Sequence, residues 1–293
     1  MKKSKNIITR TIQLVLKKFF TNSIFPYFLM IRTSKNFRRK INSKKQTNKF
    51  SDNLQEINKN EYKITSQNNE DGIIDYIFRK IPNKQYFIEI GFGYYECNSL
   101  NLIKKGWSGK LIDIDLEETT AMKSNLKNFY PNSNVDIITT KVTKANINDL
   151  IIKKSNNKKI DFFSLDIDSN DYWILNTMDL SNISVICCEY NHWLGKEEKL
   201  TIPYDENFKF IDNGIWGASL KALDNLLKNK GFSLIAVESS GTNAFFVNHE
   251  FRDKFDVLSV SECFKSVGRF YSEDKKKEIF KNIKNQFKLL KQV

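Results

Sequence analysis

From residue 71 to about residue 250, short apolar runs alternate with stretches of helical periodicity, and this rhythm most restricts what the chain can fold into. Residues 86–90 (YFIEI), 110–114 (KLIDI), 135–139, 161–167 (DFFSLDI) and 184–190 (SVICCEY) read as strands. They are apolar nearly throughout rather than at every second position, as expected of a parallel sheet covered on both faces. Residues 98–105, 119–129, 147–153 and the stretch from Tyr172 to Met178 read as the intervening helices, the first closed by Gly106. Residues 218–229 carry Leu220, Leu223, Leu226 and Leu227 on one side and end before Gly231. Two further apolar runs, 232–238 and 244–248, flank the turn-type sequence SSGTN and read as a terminal hairpin. The pattern predicts an α/β domain over 71–250: a mostly parallel seven-stranded sheet, a C-terminal antiparallel hairpin and helices on both faces.

The net charge of +13 sits almost wholly ahead of this domain. Residues 1–50 hold 14 of the 47 basic side chains and no acidic one, which leaves 33 basic against all 34 acidic residues for the rest. A basic groove for nucleic acid built into the fold is therefore not expected, and nucleic acid is an unlikely partner. Residues 1–70 read as a basic, partly disordered N-terminal segment, and residues 251–293 as a C-terminal helical extension. Within the first segment Ile12, Val15, Leu16, Phe19 and Phe20 are helically spaced beside lysines, a pattern that fits membrane-surface contact through residues 1–50. The competing reading is a disordered leader. Lys17, Lys18 and Pro26 interrupt the apolar stretch 11–31, so it is no transmembrane helix, and the ends lack a secretory signal. Four cysteines without CxxC spacing suggest reduced thiols and a cytoplasmic protein, peripheral at most to a membrane surface.

The strongest local unit is FIEIGFG, residues 87–93, followed by a helix and then KLIDID. An apolar strand delivers Glu89, after which Gly91 and Gly93 let the backbone turn tightly against a ligand. Asp113 closes the next strand, where a carboxylate can accept both hydroxyls of a ribose. A dinucleotide site would need a third glycine to admit pyrophosphate, and here Tyr94, Tyr95, Glu96 and Cys97 follow instead. A bulky, acidic turn favours a nucleoside that carries a cation and no phosphate.

A second unit pairs SLDIDSNDYWIL (164–175) with CCEYNHWLG (188–195). Both place polar side chains just beyond a strand's C-terminal end, where open α/β sheets bind ligands. Asp166, Asp168, Asp171, Glu189, Asn191 and His192 are the candidates. Two uses are open: a divalent-cation site, since hard oxygen ligands suit Mg²⁺, or metal-free catalysis with Asp166 or His192 as general base. A plainer alternative is that some of these carboxylates cap helices, with Asp168, Ser169 or Asn170 simply starting the helix from Tyr172.

These stretches, together with INDLI, TIPYD and GASLKALDNLLKNKGFSLIAVESSGTNAFFV, resemble the FkbM-type methyltransferases over about residues 71–250. The resemblance implies a Rossmann-like class I fold and S-adenosyl-L-methionine as methyl donor. It further implies O-methylation of a carbohydrate or small hydroxylated acceptor. By it Glu89, Gly91, Gly93 and Asp113 line the donor site, with Asp166 at its edge. The arrangement is also similar to cation-dependent O-methyltransferases, which implies Mg²⁺ held by Asp166 and Asn191, with Glu189 near the place of the family's third ligand. The Tyr95-Glu96 pair departs from the Asp-Gly that many relatives carry. Two rival readings stand beside this one: an RNA or protein methyltransferase using the basic arm, and a non-catalytic, membrane-peripheral module that keeps the fold, with Tyr94 or Tyr95 blocking the donor pocket. Residues 191–217, rich in Trp and Phe, read either as an acceptor-side lid or as core beneath a long loop.

Overall fold

A computed structural model describes residues 55–155, 159–266 and 271–293, with Arg38 and Gln46–Thr47 besides. Seven strands form one sheet: β1 (Tyr86–Ile90), β2 (Ser108–Asp113), β3 (Val135–Thr139), β4 (Ile160–Leu165), β5 (Ile183–Glu189), β6 (Phe232–Val237) and β7 (Asn243–Asn248). Their order is β3-β2-β1-β4-β5-β7-β6. The first five run parallel, and β7 is inserted antiparallel between β5 and β6. This is the Rossmann-like class I methyltransferase fold, and the order reverses at β1, where β4 lies on one side and β2 on the other.

Successive side chains of a strand face opposite ways, and the core divides accordingly. On one face Ile88, Ile90, Phe163 and Ile186 pack under the helices α4 (Ile147–Ser155), α5 (Asp171–Thr177) and α6 (Leu220–Asn229). On the other, Phe87, Phe162, Val185 and Phe245 meet α1 (Glu70–Lys80), α2 (Leu100–Lys104) and α3 (Leu116–Phe129). Leu220, Leu223 and Leu227 are fully buried on α6, each contributing about 1.5–3 kcal/mol of apolar burial. Ser219 caps that helix by accepting from the Ala222 N–H, and Asp115 caps α3 by accepting from Glu117 and Glu118.

The packed unit begins earlier than the expected boundary at residue 71. Asn58 donates to the Val237 carbonyl at 2.9 Å, and the Ser239 N–H donates to Glu61 at 3.0 Å. Gly72 is tight against the same stretch, since a Cβ there would lie 2.2 Å from the Asn60 carbonyl oxygen. Residues 55–70 look polar because their buried groups are bonded carboxylates and amides, not because they lie outside the core. The apolar stretch 11–31 lies outside the described residues. No helix among the described residues is long and apolar enough to cross a membrane.

The helix α7 (Glu273–Gln286) is capped by Ser272 and buries Ile279. It packs on residues 191–217: Asn282 donates to the Asn213 carbonyl at 2.7 Å, and Phe280 meets Trp193 edge-on at 5.5 Å. Beyond it Lys291–Gln292 pairs antiparallel with Leu200–Thr201.

Candidate active site

A cleft of about 500 Å³ lies over the C-terminal ends of β1, β2 and β4, within the range typical of small-molecule sites. Its floor is built from the end of β1. Gly91 has φ +78°, and a Cβ there would stand 1.6 Å from the Asp166 carbonyl oxygen. The ladder continues through the turn, with the Gly91 N–H donating to Ile112 O and the Asp166 N–H donating to Ile90 O, each at 2.9 Å. Only glycine satisfies both the conformation and the approach.

The next three N–H groups of the turn are all taken. Phe92 donates to Asp113 Oδ2 at 3.1 Å, Gly93 to the Glu96 carbonyl at 3.1 Å, and Tyr94 to Glu118 Oε2 at 2.7 Å. A pyrophosphate needs such groups free and without anionic competitors. Two carboxylates occupy them here, which excludes a dinucleotide mode and suits a cationic ligand. Asp113 accepts from Asp115 N–H as well, and burial pushes its pKa up against the pull of these bonds. Glu118 went unnoticed in the sequence because helix α3 was expected to begin at residue 119, one place beyond it. An acid in the first turn after the second strand was the available signal.

Tyr94 and Tyr95 meet edge-on at 4.7 Å. Tyr94 packs against the core, while Tyr95 is 36% exposed and lines the cleft. Neither ring fills it, so the blocked-pocket reading loses its basis.

Glu89 is only 2% exposed. Its oxygens accept from Asn98 N–H at 2.9 Å and Ser99 N–H at 2.7 Å, at the start of α2. Burial pushes its pKa up to about 7 in spite of those bonds. It therefore serves chiefly to hold the loop after β1, with its charge beneath the cleft.

Further along, Asp166, Asp168 and Glu189 bring one carboxylate oxygen each within 4.8 Å of one another. Burial raises Asp166 well above the carboxylate range, and the charges of Asp168 and Asp171 add to it. Glu189 is raised for the same reasons, burial first and Asp166 next. Side by side, each of these groups disfavours ionisation of the other. Solvent reaches Asp168, which sits at a left-handed φ of 56°. Asp171 instead accepts from the Ile167 and Ser169 N–H groups and so braces the loop, while the N-cap of the helix that follows, Asn170, makes no side-chain cap bond.

Two expected residues stand apart. Asn191 is fully buried with both ends of its amide in use: Oδ1 accepts from Trp193 N–H, and Nδ2 donates to Gly214 O and Trp216 O. It ties down the 191–217 segment, and Asp168 takes the place expected of it in the cluster. His192 lies outside the cleft lining, its ring 4.8 Å from that of Trp193 and 6.4 Å from that of Trp216. Burial lowers its pKa to about 3, so it is neutral and a poor base. Of the aromatic segment, Trp193 and Trp216 are core, and Phe208 lines the cleft.

The methyltransferase FkbM domain matches residues 28–234. The chain belongs to this family. As an FkbM-domain protein it is an S-adenosylmethionine-dependent methyltransferase. No curated protein matches the sequence. Similar solved structures include the magnesium protoporphyrin IX methyltransferase ChlM of Synechocystis PCC 6803 with bound SAH, at 12% identity and TM-score 0.43, covering 73% of this chain and 93% of that one. The N-terminal domain of EvdMO1 with SAH bound is 12% identical at TM-score 0.41, covering 63% and 82%. A SAM-dependent methyltransferase from Methanosarcina mazei is 16% identical at TM-score 0.41, covering 59% and 94%.

Proposed function

We propose that this FkbM-domain methyltransferase transfers the methyl group to a hydroxyl oxygen of a carbohydrate or another small hydroxylated acceptor. The observation that carries this reading is the close Asp166–Glu189 carboxylate pair beside the donor turn. A pair that shares one proton keeps a basic carboxylate with a raised pKa, which suits taking a proton from a hydroxyl near neutral pH. Asp166 is the base: the acceptor hydroxyl gives it a proton while its oxygen attacks the methyl carbon. The carbon–sulfur bond breaks with its electron pair staying on sulfur, and S-adenosylhomocysteine leaves. Asp113 holds the ribose, and the carboxylates around the turn favour the sulfonium of the donor over the neutral sulfur of the product. The same acidic walls, with Lys141 the one basic residue among the described lining, disfavour a polyphosphate acceptor such as RNA.

A divalent cation, Mg²⁺ by its hard oxygen donors, fits beside this pair, because Glu189 Oε2 is buried without a hydrogen-bond partner. Asp166, Asp168 and Glu189 would hold it, and when bound it would lower the pKa of an acceptor hydroxyl. With the cation bound, Asp166 would serve as one of its ligands, and the residues around the turn would still orient the donor.

The test is calorimetry with S-adenosylmethionine, followed by transfer of its labelled methyl group to a panel of monosaccharides and dihydroxybenzenes. Donor binding is expected in both wild type and Asp166→Asn, with transfer to oxygen lost in the variant. A folded wild type that binds no donor would overturn the enzyme reading. Methylation confined to nitrogen, protein or RNA would overturn the acceptor class alone.

A further inference from the structure

One oxygen in the cleft wall is buried without a hydrogen-bond partner. Asn243 is 2% exposed and lines the cleft, yet its Oδ1 is buried with no hydrogen bond. It opens strand β7, where it is the register partner of Glu189 on β5. The Tyr190 N–H donates to the Thr242 carbonyl at 3.2 Å beside them, which makes Asn243 and Glu189 a non-hydrogen-bonded antiparallel pair. Side chains of such a pair stand on the same face of the sheet, with Cβ atoms about 4.5–5.5 Å apart. Glu189 is in turn within the 4.8 Å cluster with Asp166 and Asp168.

The direction of the amide is set from behind. Asn243 Nδ2 donates to Glu70 Oε1 at 2.8 Å, and Glu70 Oε2 is held by the Asn68 N–H at 2.7 Å. With its nitrogen committed to Glu70, the amide turns its oxygen away from Glu70. Glu70, with no exposed surface, thus holds the amide nitrogen and leaves Oδ1 without a partner on the sheet face that Asn243 shares with Glu189. Two buried oxygens without partners, Glu189 Oε2 and Asn243 Oδ1, on paired residues and beside two more carboxylates, call for a ligand that is positive and takes several oxygens at once.

We infer that Asn243 supplies the fourth oxygen of a divalent-cation site whose other ligands are Asp166, Asp168 and Glu189. This rests on the cation reading above and changes its ligand set: the amide comes from the inserted strand β7 and not from Asn191. Three carboxylates and one amide oxygen are the hard donors that Mg²⁺ and Mn²⁺ prefer. Glu70 is a positioning residue behind the fourth, in the manner of the hydrogen-bonded groups that orient metal ligands.

The probes are Mg²⁺ and Mn²⁺ alone, titrated by calorimetry into the full chain saturated with S-adenosylhomocysteine. One ion per chain is expected. Asn243→Leu should weaken its binding about 10- to 100-fold, while Asn243→Asp, which keeps an oxygen there but loses the bond to Glu70, should weaken it less than Asn243→Leu. Affinity for S-adenosylhomocysteine without metal is measured in both variants, and a retained affinity reports an intact donor site. A wild type that binds S-adenosylhomocysteine but no ion overturns the cation site and leaves the methyltransferase assignment standing. Equal ion binding by wild type and Asn243→Leu overturns the role of Asn243. Should Asn243→Leu lose the nucleoside too, Asn243→Asp decides: ion binding retained there supports the assignment, and its complete loss while the nucleoside still binds overturns it.

Discussion

Gly91→Ala tests whether the turn after β1 is built as described. Gly91 combines φ +78° with a Cβ position 1.6 Å from the Asp166 carbonyl oxygen. A left-handed alanine costs about 1–2 kcal/mol. The steric conflict cannot be relieved by a side-chain rotation, because the blocking atom is backbone. The end of β4 must move by more than an ångström, against its 2.9 Å bond from Asp166 N–H to Ile90 O. Overpacking of this kind costs about 1–3 kcal/mol, so the total is roughly 2–5 kcal/mol. For a domain of this size that lowers the melting temperature by roughly 4–20 °C. The same movement displaces Asp166, the proposed base, so donor affinity and methyl transfer should fall with stability. Gly93→Ala is the control: its Cβ would meet the Glu96 carbonyl at 3.3 Å, and its φ is not in the left-handed region. It should cost less than about 1 kcal/mol. Thermal unfolding by circular dichroism and calorimetry with S-adenosylmethionine read both. A Gly91→Ala protein that melts within a degree or two of wild type would refute the geometry.

Other expectations follow from the same contacts. Asp113→Ala removes the acceptor for Phe92 and Asp115 N–H groups together with the ribose contact, so S-adenosylmethionine affinity should fall about 10- to 100-fold at the 1.5–3 kcal/mol of charge-assisted bonds; unchanged affinity by calorimetry would argue against it. His192→Phe removes a buried nitrogen without a partner and should leave stability and methyl transfer close to wild type, whereas loss of transfer in a folded variant would restore His192 as the base. Ile279→Ala, at 1% exposure on α7, should cost about 2–5 kcal/mol in urea unfolding if that helix is part of the fold. Burial first, then the neighbouring Glu70 carboxylate, pushes the Glu238 pKa up to about 8, and burial pushes Glu89 up to about 7. The folded state then binds more protons than the unfolded chain from about pH 4.5 upward, so stability should decline as pH rises through 5 to 8. Urea midpoints that increase over this range would contradict the assignment.

The amino-acid sequence alone determined the strands, the hairpin and the donor turn. These depend on local rules: runs of apolar residues, helix caps, and glycines where the backbone must bend. The expected strands agree with the observed ones to within a residue or two, and Gly91, Gly93 and Asp113 occupy the positions expected beside the cleft. Tertiary structure alone decided which polar groups are left over for chemistry. Asn191 and His192 are close in sequence to Glu189, yet their loop turns them inward to bind backbone or aromatic rings. Asn243 is more than fifty residues away from Glu189 and becomes its neighbour because β7 inserts between β5 and β6. Hydrogen bonding settles the matter: a buried amide or carboxylate whose valences are filled by nearby backbone has none to offer a ligand, and that accounting closes only when distant strands have met.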